Sequence, residues 1–341
     1  MAFVKPLPLS ILDLVPLTNG MTSAQALAQS LDLARLGDSL GYTRLWYAEH
    51  HNMPAIASTT PEIMITRAGM VTTRIRLGSG GVMLPNHSPL KVAESYRLLE
   101  SMLPGRVDLG LGRAPGTDPT TALALRRSRE AVYADDFPTQ LGELLAFGGQ
   151  REFPRGHPFA GVRAQPDDVP LPPVWLLGSS DYSAHLAAQI GHGFAFAAHF
   201  SPASPEGPML AYRQRFRPGD LPRPHAILAL SVFCAPTTEE AEEMAIPTLV
   251  AFARLRTGRP ARLLNAAEAR AYVFSPAEAA AVEGIRAAQI IGTPTKVKAR
   301  IDDLATRTHA DELMITTFAA DSGKRLRSYE LLAATFGLDR A

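Results

Sequence analysis

Cysteine is nearly absent from this sequence: its 341 residues include one, Cys234. A lone cysteine excludes an intramolecular disulfide, and this usage is typical of proteins from a reducing compartment. The neighbours of Cys234, which are Val232-Phe233 and Ala235, have the composition of a strand. We therefore expect Cys234 to be a small buried residue rather than a nucleophile.

An excess of one charge and a long apolar run are also missing. The net charge is +1 and no five like charges follow one another, so the sequence indicates neither nucleic acid nor an anionic membrane as a partner. The stretch from Leu186 to Pro205 is uncharged, but its glycines, histidines and prolines argue against a membrane span. Residues Met1 to Ser10 do not have the pattern of a signal peptide, and we expect a cytoplasmic protein.

The sequence does contain a regular alternation of strand and helix patterns. Apolar residues make up 46% of the chain, which is enough for a substantial core. The strand patterns are apolar and β-branched, and each is followed by a segment whose apolar residues recur with the helical period. The predicted strands cover residues 7–15, 43–48, 75–84, 107–112, 174–177, 194–198, 226–234 and 312–318.

Eight such units predict a closed parallel (β/α)₈ barrel, an α/β TIM barrel, as a single domain over residues 1–341. An open doubly wound sheet is the alternative, although no Gly-x-Gly-x-x-Gly follows the first strand. The alternation is interrupted twice. An insertion covers about 114–173 after the fourth strand; it has two polar helical patterns, at about 119–129 and 137–147, followed by a Pro/Gly-rich segment at 148–173. An irregular helical segment covers about 256–288 after the seventh strand. Connections this long are often lids or binding loops.

TIM barrels carry their active sites at the C-terminal ends of the strands, and here the second strand ends in Glu49-His50-His51. Neighbouring residues of an extended chain face opposite ways, so His50 and His51 are poorly placed to chelate one metal ion. A metal site built across strands from Glu49, His87 and His199 is an alternative. We favour an imidazole that donates a hydrogen bond or takes a proton beside a cofactor. The competing interpretation is a histidine that is merely hydrogen-bonded at a strand end.

The fifth strand runs into Gly178-Ser179-Ser180, a turn of small residues before a helix that contains Ser183. Such a turn presents backbone N–H groups and hydroxyls at the positive end of a helix, which is an arrangement that binds phosphate. Arg113, at the end of the neighbouring strand, would pair with a phosphate bidentately. The alternatives are that Ser180 only caps the helix and that Arg113 is only a surface ion-pair partner.

Glycines interrupt the third strand at Gly78-Ser79-Gly80-Gly81. Glycine weakens a strand, so its presence in an otherwise branched segment needs a reason. A flat ligand that lies against the backbone is one explanation, and a bulge is the other.

These motifs, in this order, resemble the bacterial luciferase-like flavin monooxygenase family over nearly the whole chain. The segments that carry the resemblance are Ala48 to His51, Leu77 to Pro85, Gly105 to Arg113, Leu176 to Ser180 and Ile291 to Pro294. Within the family, the segment Arg113 to Asp118 is similar to the single-chain, alkanal-monooxygenase-like members.

The resemblance implies a TIM barrel that binds FMN, usually as a homodimer. By motif position, Arg113 would hold the FMN phosphate together with Ser179, Ser180 and Ser183, and Gly178 belongs to the same cofactor-binding turn.

The remaining motif positions concern the flavin ring and the reaction. Gly80 and Gly81 would lie against the isoalloxazine, where the family often has a non-proline cis peptide. His50 matches the histidine implicated in flavin peroxide chemistry, and Glu49 matches a neighbouring family position. The resemblance thus implies that His50 and Glu49 are catalytic.

The implied reaction starts from reduced FMN, which a separate reductase supplies as a transient partner. Reduced FMN and O₂ give a flavin C4a-hydroperoxide, which oxygenates a small organic substrate. An F420-dependent oxidoreductase that transfers hydride without O₂ is the first alternative, and a basic groove beyond Arg113 would favour it. A non-catalytic flavin-binding protein is the second. The chain departs from luciferase in both interrupting segments, so light emission is not implied.

Overall fold

Strands and helices alternate along the chain in a computed structural model that describes residues 7–201 and 203–338. The strands β1 to β10 are, in chain order, Leu9–Asp13, Arg44–Tyr47, Arg76–Ser79, Val82–Met83, Val107–Gly112, Val174–Gly178, Gly193–Ala197, Ala226–Cys234, Ile290–Gly292 and Glu312–Thr316. The helices α1 to α13 are Ser23–Leu40, Pro61–Gly69, Pro89–Met102, Pro119–Arg126, Arg129–Tyr133, Phe137–Phe147, Asp181–Ile190, Glu206–Arg215, Thr238–Arg256, Ala266–Arg270, Pro276–Ala288, Pro294–Thr308 and Ser322–Phe336. No helix within the described ranges has the length and apolar character needed to cross a membrane.

The strands close into a parallel barrel in the order β1-β2-β3-β5-β6-β7-β8-β10. Closure follows from β10, which pairs with β8 on one side and with β1 on the other, where Leu9 lies opposite Leu313. The predicted TIM barrel is therefore confirmed, and an open doubly wound sheet is excluded because such a sheet has two free edges.

Side-chain alternation along the strands separates two apolar layers. On β1, Ile11 packs outward in the large cluster between strands and helices, whereas its neighbour Leu12 packs inside the barrel. The interior cluster is small and includes Trp46, Trp175 and Met314. Because successive residues point to opposite sides, one apolar strand serves both layers.

The third predicted strand, residues 75–84, is wrong as a continuous element. It is divided into β3, which ends at Ser79, and β4, which begins at Val82, and the Gly80–Gly81 peptide between them is cis. The non-proline cis peptide that the resemblance implies at this place is thus present. Glycine is also required on the neighbouring strand, since a Cβ at Gly110 would lie 2.1 Å from the carbonyl oxygen of Ser79.

The regions after the barrel strands contain helices and one further strand. The insertion 114–173 contains the three helices α4, α5 and α6, and the segment 256–288 contains α10 and α11. Strand β9 was not predicted, because three residues are too few for an alternation to be recognised; it extends the pairing of β8 through Ile290 opposite Val232. Cys234 is buried as predicted, and burial raises the pKa of its thiol to about 11.

A buried ion cluster fills the N-terminal end of the barrel interior. The guanidinium of Arg44 donates to Asp108 at 2.8 Å and to both carboxylate oxygens of Glu312 at 2.7 and 2.8 Å. It also lies over the ring of Trp175, 4.8 Å from the centroid, and the indole of Trp46 donates to Asp108. Side chains therefore fill the N-terminal end of the barrel, and the space for a ligand lies at the C-terminal ends of the strands.

Candidate active site

Two adjoining cavities open at the C-terminal ends of the barrel strands. The inner cavity has a volume of about 410 Å³ and reaches the barrel interior at Trp46 and Met314. The outer cavity has a volume of about 310 Å³. Both volumes are in the range of small-molecule sites. The residues that line both cavities are Leu14, His50, Met53, His199 and Phe200.

The inner cavity brings together every residue that the sequence motifs assign to cofactor binding. These residues come from the ends of β3, β5 and β6 and from α7, so they are far apart in the chain. They are Gly80, Gly81, Arg113, Gly178, Ser179, Ser180 and Ser183.

The polar end of this cavity has the features of an anion site. Ser180 takes the N-cap position of α7, yet its side chain makes no capping hydrogen bond, so the hydroxyl remains available. The first N–H groups of a helix lack intrahelical acceptors and favour an anion. The Arg113 guanidinium lies 4.0 Å from the centroid of the Tyr182 ring, which orients it, while its only carboxylate neighbour in the described part of the chain, Asp135, is 3.8 Å away.

Tyr182 was not among the predicted site residues. A tyrosine in the first turn of a helix gives no sequence signal of its own. Its contact joins the start of α7 to the residue that follows β5, and only the closed barrel brings these two places together. Met53 and Phe200 were missed for the same reason: each is an apolar residue outside the strands and helices that becomes cavity wall in three dimensions.

His50 lies in the wall that the two cavities share. Its Nδ1 is 3.1 Å from the carbonyl oxygen of Gly116, and its backbone N–H donates to Ser58. Burial lowers the pKa of His50, so the ring is neutral at neutral pH. Since a carbonyl can only accept, Nδ1 carries the hydrogen and Nε2 is left as a proton acceptor.

Glu49 lies behind this wall and lines neither cavity. Its Oε1 accepts from Nε2 of His51 and from Nε2 of His87, both at 2.8 Å, and its Oε2 accepts from the backbone N–H of Met83 at 2.9 Å. Burial alone would raise the Glu49 pKa, but these hydrogen bonds lower it to about 2. The carboxylate thus ties the end of β2 to β4. His51 points away from the cavities and His50 points into them, as predicted.

The predicted alternative of a metal site from Glu49, His87 and His199 is not assembled. Among residues 7–201 and 203–338, no three His, Cys, Asp or Glu side chains are placed to hold one metal ion. His199 instead lies in the wall beside His50, and its Nδ1 has no hydrogen-bond partner in the described chain. Burial, and to a smaller extent His50, lowers the His199 pKa to about 3, so this imidazole is neutral as well.

Similarity to known proteins agrees with the site. The model of the luciferase-like monooxygenase family matches residues 8–312. A luciferase-like monooxygenase of Escherichia coli is 41% identical over 328 residues, which is 96% of both chains. An N-acetyl-S-alkylcysteine monooxygenase of Bacillus subtilis is 34% identical over 328 residues, 95% of this chain and 97% of that one. The crystal structure of apo-MsnO8 superposes with a TM-score of 0.87 at 35% identity and covers 99% of each chain.

The fold and these similarities define an enzyme of the flavin-dependent monooxygenase class. The chain belongs to the luciferase-like monooxygenase family.

Replacing the buried carboxylate tests whether the Glu49 contacts hold this wall together. Because the pKa of Glu49 is lowered in the folded state, its ionised carboxylate stabilises the fold at any pH above the ordinary value near 4.5. This contribution is lost as pH falls towards 2. We expect Glu49→Gln to lower the free energy of unfolding by about 3 kcal/mol at pH 7, from the shift of the pKa, and by less below pH 4.5. Urea unfolding of the wild type and the variant, at pH 7 and again below pH 4.5, measures the change in the free energy of unfolding.

Glu62→Gln is the matched control for this measurement. Burial raises the pKa of Glu62, so its ionised form does not stabilise the fold. If Glu49→Gln lowered the free energy of unfolding by no more than Glu62→Gln does, the hydrogen bonds of Glu49 would not stabilise the fold.

Proposed function

We propose that this monooxygenase binds FMN in the inner cavity and, with the flavin reduced, transfers one atom of O₂ to a small organic substrate in the outer cavity. The observation that carries the proposal is the lining of the inner cavity. It has an anion site at Arg113, a wall of two glycines at Gly80-Gly81, and His50 at the boundary with the outer cavity. The first feature suits the phosphate of FMN, and the second suits its flat ring.

Reduced FMN would supply both electrons, so that O₂ and substrate give oxygenated substrate, water and oxidised FMN. The protein supplies position and environment. Arg113 and the hydroxyls of Ser179 and Ser180 hold the phosphate, and Gly80-Gly81 lets the ring approach the backbone. The small organic substrate fits with the relative named as an N-acetyl-S-alkylcysteine monooxygenase.

His50 is the catalytic side chain in this proposal. Its Nδ1 is anchored on Gly116, so Nε2 would be free to exchange a proton, as a neutral base, with the reactants bound in the cavities. Glu49 is assigned a positioning role, because it holds the strand end that carries His50 and touches neither cavity. The apolar side chains of Phe252 and Phe318 in the outer cavity exclude water from the region near His50.

We further place the enzyme in the cytoplasm, where a separate flavin reductase supplies the reduced FMN. The lone buried thiol, Cys234, is in keeping with a reducing compartment.

A comparison of FMN with riboflavin tests the phosphate site, since the two differ only in the phosphate. We expect Arg113→Ala to reduce the affinity for FMN by roughly tenfold or more, the cost of a charge-assisted pair, and to leave riboflavin binding unchanged. Anaerobic fluorescence titration measures both affinities. Arg155→Ala, which removes an exposed arginine from the same insertion, is the control.

Titration with F420 in the same experiment separates the alternatives. Tight F420 binding with hydride transfer in the absence of O₂ would favour the deazaflavin oxidoreductase. Flavin binding without any reaction of the reduced form with O₂ beyond the free rate would favour a non-catalytic binder. An FMN affinity that Arg113→Ala does not change would refute the phosphate assignment.

Loss of the imidazole at His50 tests the catalytic assignment. We expect His50→Ala to retain FMN affinity within about twofold but to release hydrogen peroxide several-fold faster when the reduced complex is mixed with O₂, because the proton at the reacting atoms is no longer controlled. Stopped-flow absorbance with a peroxide assay measures this. His185→Ala, outside both cavities, is the control, and wild-type behaviour of His50→Ala would remove this residue from the mechanism.

Helices α2 and α3 support the proposed homodimer. They pack against each other. Large apolar side chains face solvent at both: Ile63 on α2, Met70 at the C-cap of α2, and Leu98 and Met102 on α3. Their exposed fractions are 49% to 72%. Apolar side chains concentrated on one pair of helices are typical of a subunit interface.

The double variant Ile63→Glu, Met102→Glu tests this surface. We expect it to convert the dimer into a monomer, because two carboxylates per subunit would be buried without partners. Light scattering coupled to size-exclusion chromatography gives the mass. Val273→Glu, at another exposed apolar residue, controls for added charge, and a wild-type chain that runs as a monomer would refute the homodimer.

A further inference from the structure

In the described part of the chain, one cation, Arg256, lies at the rim of the outer cavity, whose walls are mostly apolar. We infer that the cavity takes an apolar molecule that carries an anionic group, such as a carboxylate, and that Arg256 binds this group. The substrate class rests on the proposed function, because only the flavin reaction makes a bound molecule a substrate. The binding preference itself depends only on the cavity.

The walls define the apolar part of the ligand. They are built from Ile56 in a loop, from Phe252 and Leu255 of α9, from Pro260 and from Phe318 after β10. No carboxylate from residues 7–201 or 203–338 lines this cavity or the inner one. An anionic ligand therefore meets no charge repulsion inside, and its apolar body gains from leaving water.

Arg256 is the cation that is available for such a ligand. It is the last residue of α9 and is exposed at the rim, and no hydrogen bond or ion pair engages its guanidinium within the described residues. The other arginines nearby are occupied: Arg254 lies over the ring of Tyr272 at 5.0 Å, and Arg259 is 2.6 Å from Glu278.

The C-terminus of α9 does not need Arg256 as a cap. Three carbonyl groups of the last turn already accept backbone hydrogen bonds, since the N–H of Thr257 donates to Ala253, that of Gly258 to Leu255 and that of Arg259 to Arg254. Satisfied carbonyls leave the guanidinium free to pair with a ligand.

The arrangement also orients the ligand. Arg256 is at the rim, and the two neutral imidazoles of His50 and His199 are in the wall shared with the inner cavity. A ligand whose anionic group binds Arg256 places its apolar end towards these imidazoles. The reaction is therefore expected at the part of the substrate that is remote from its charge.

Binding of octanoate and octan-1-ol tests the inference, since the two have the same apolar chain and differ in charge. Calorimetric titration uses the full chain saturated with oxidised FMN, so that the Arg113 end is filled. We expect octanoate to bind about fivefold more tightly than octan-1-ol, the factor of a partly exposed ion pair. Arg256→Gln should abolish this preference without weakening octan-1-ol binding, and Arg256→Lys should retain most of it.

Two control variants locate the effect. Arg259→Gln removes the same charge from the same segment but outside the cavity, and it should keep the preference. Phe252→Trp should weaken both probes because it fills the cavity. The inference is overturned if neither probe binds, if both bind equally, or if Arg256→Gln leaves the preference intact.

Repeating the titration on the flavin-free chain and on Arg113→Ala separates this inference from the proposed function. If FMN does not bind but the preference persists and depends on Arg256, the proposed function fails and the anion site stands. If FMN binds and reacts as proposed but no preference exists, the anion site alone fails. A preference that disappears in Arg113→Ala rather than in Arg256→Gln assigns the anion to the inner cavity and overturns the inference.

Discussion

The barrel depends on the ion cluster in which Arg44 joins Asp108 and Glu312. These residues lie in the first two positions of β2, β5 and β10, so the cluster links three non-adjacent strands inside the barrel. A guanidinium buried with only one of these carboxylates would cost several kcal/mol, which fixes the register in which the strands close. With Trp46 and Trp175 packed above it, the cluster fills the N-terminal end and leaves the ligand space at the other.

The site is built on the same principle of buried charge with satisfied partners. Glu49 is as deeply buried as Glu312. Burial alone would raise both pKa values, but the charge of Arg44 with several hydrogen bonds at Glu312, and hydrogen bonds at Glu49, lower each to about 2. The two carboxylates act at different places, Glu312 at the base of the barrel and Glu49 behind the cavity wall. In contrast, the titratable side chains that line the cavities, among residues 7–201 and 203–338, are two arginines and two neutral histidines. This distribution of charge suits the anionic groups that we propose bind at Arg113 and at Arg256.

Much of the site followed from local sequence signals. The turn Gly178-Ser179-Ser180, the glycines at Gly80-Gly81 and the histidine at His50 each stand at a strand end, and barrel closure places all strand ends of one kind together. The opposite directions of His50 and His51 agree with the expectation from an extended chain, although both residues lie beyond β2, which ends at Tyr47. The role of Glu49 was not accessible in this way, because its partner His87 is 38 residues away and on another element.

The sequence by itself determined the barrel, its strand ends and the family resemblance, since periodicity and local turn chemistry depend on neighbouring residues. Tertiary structure alone decided that two cavities share the wall at His50 and that Tyr182 orients Arg113. It also decided that Arg256, one of several arginines in an irregular segment, is the one at the cavity rim. The physical reason is that these features join residues far apart in the chain, and such contacts arise only from packing of the folded chain.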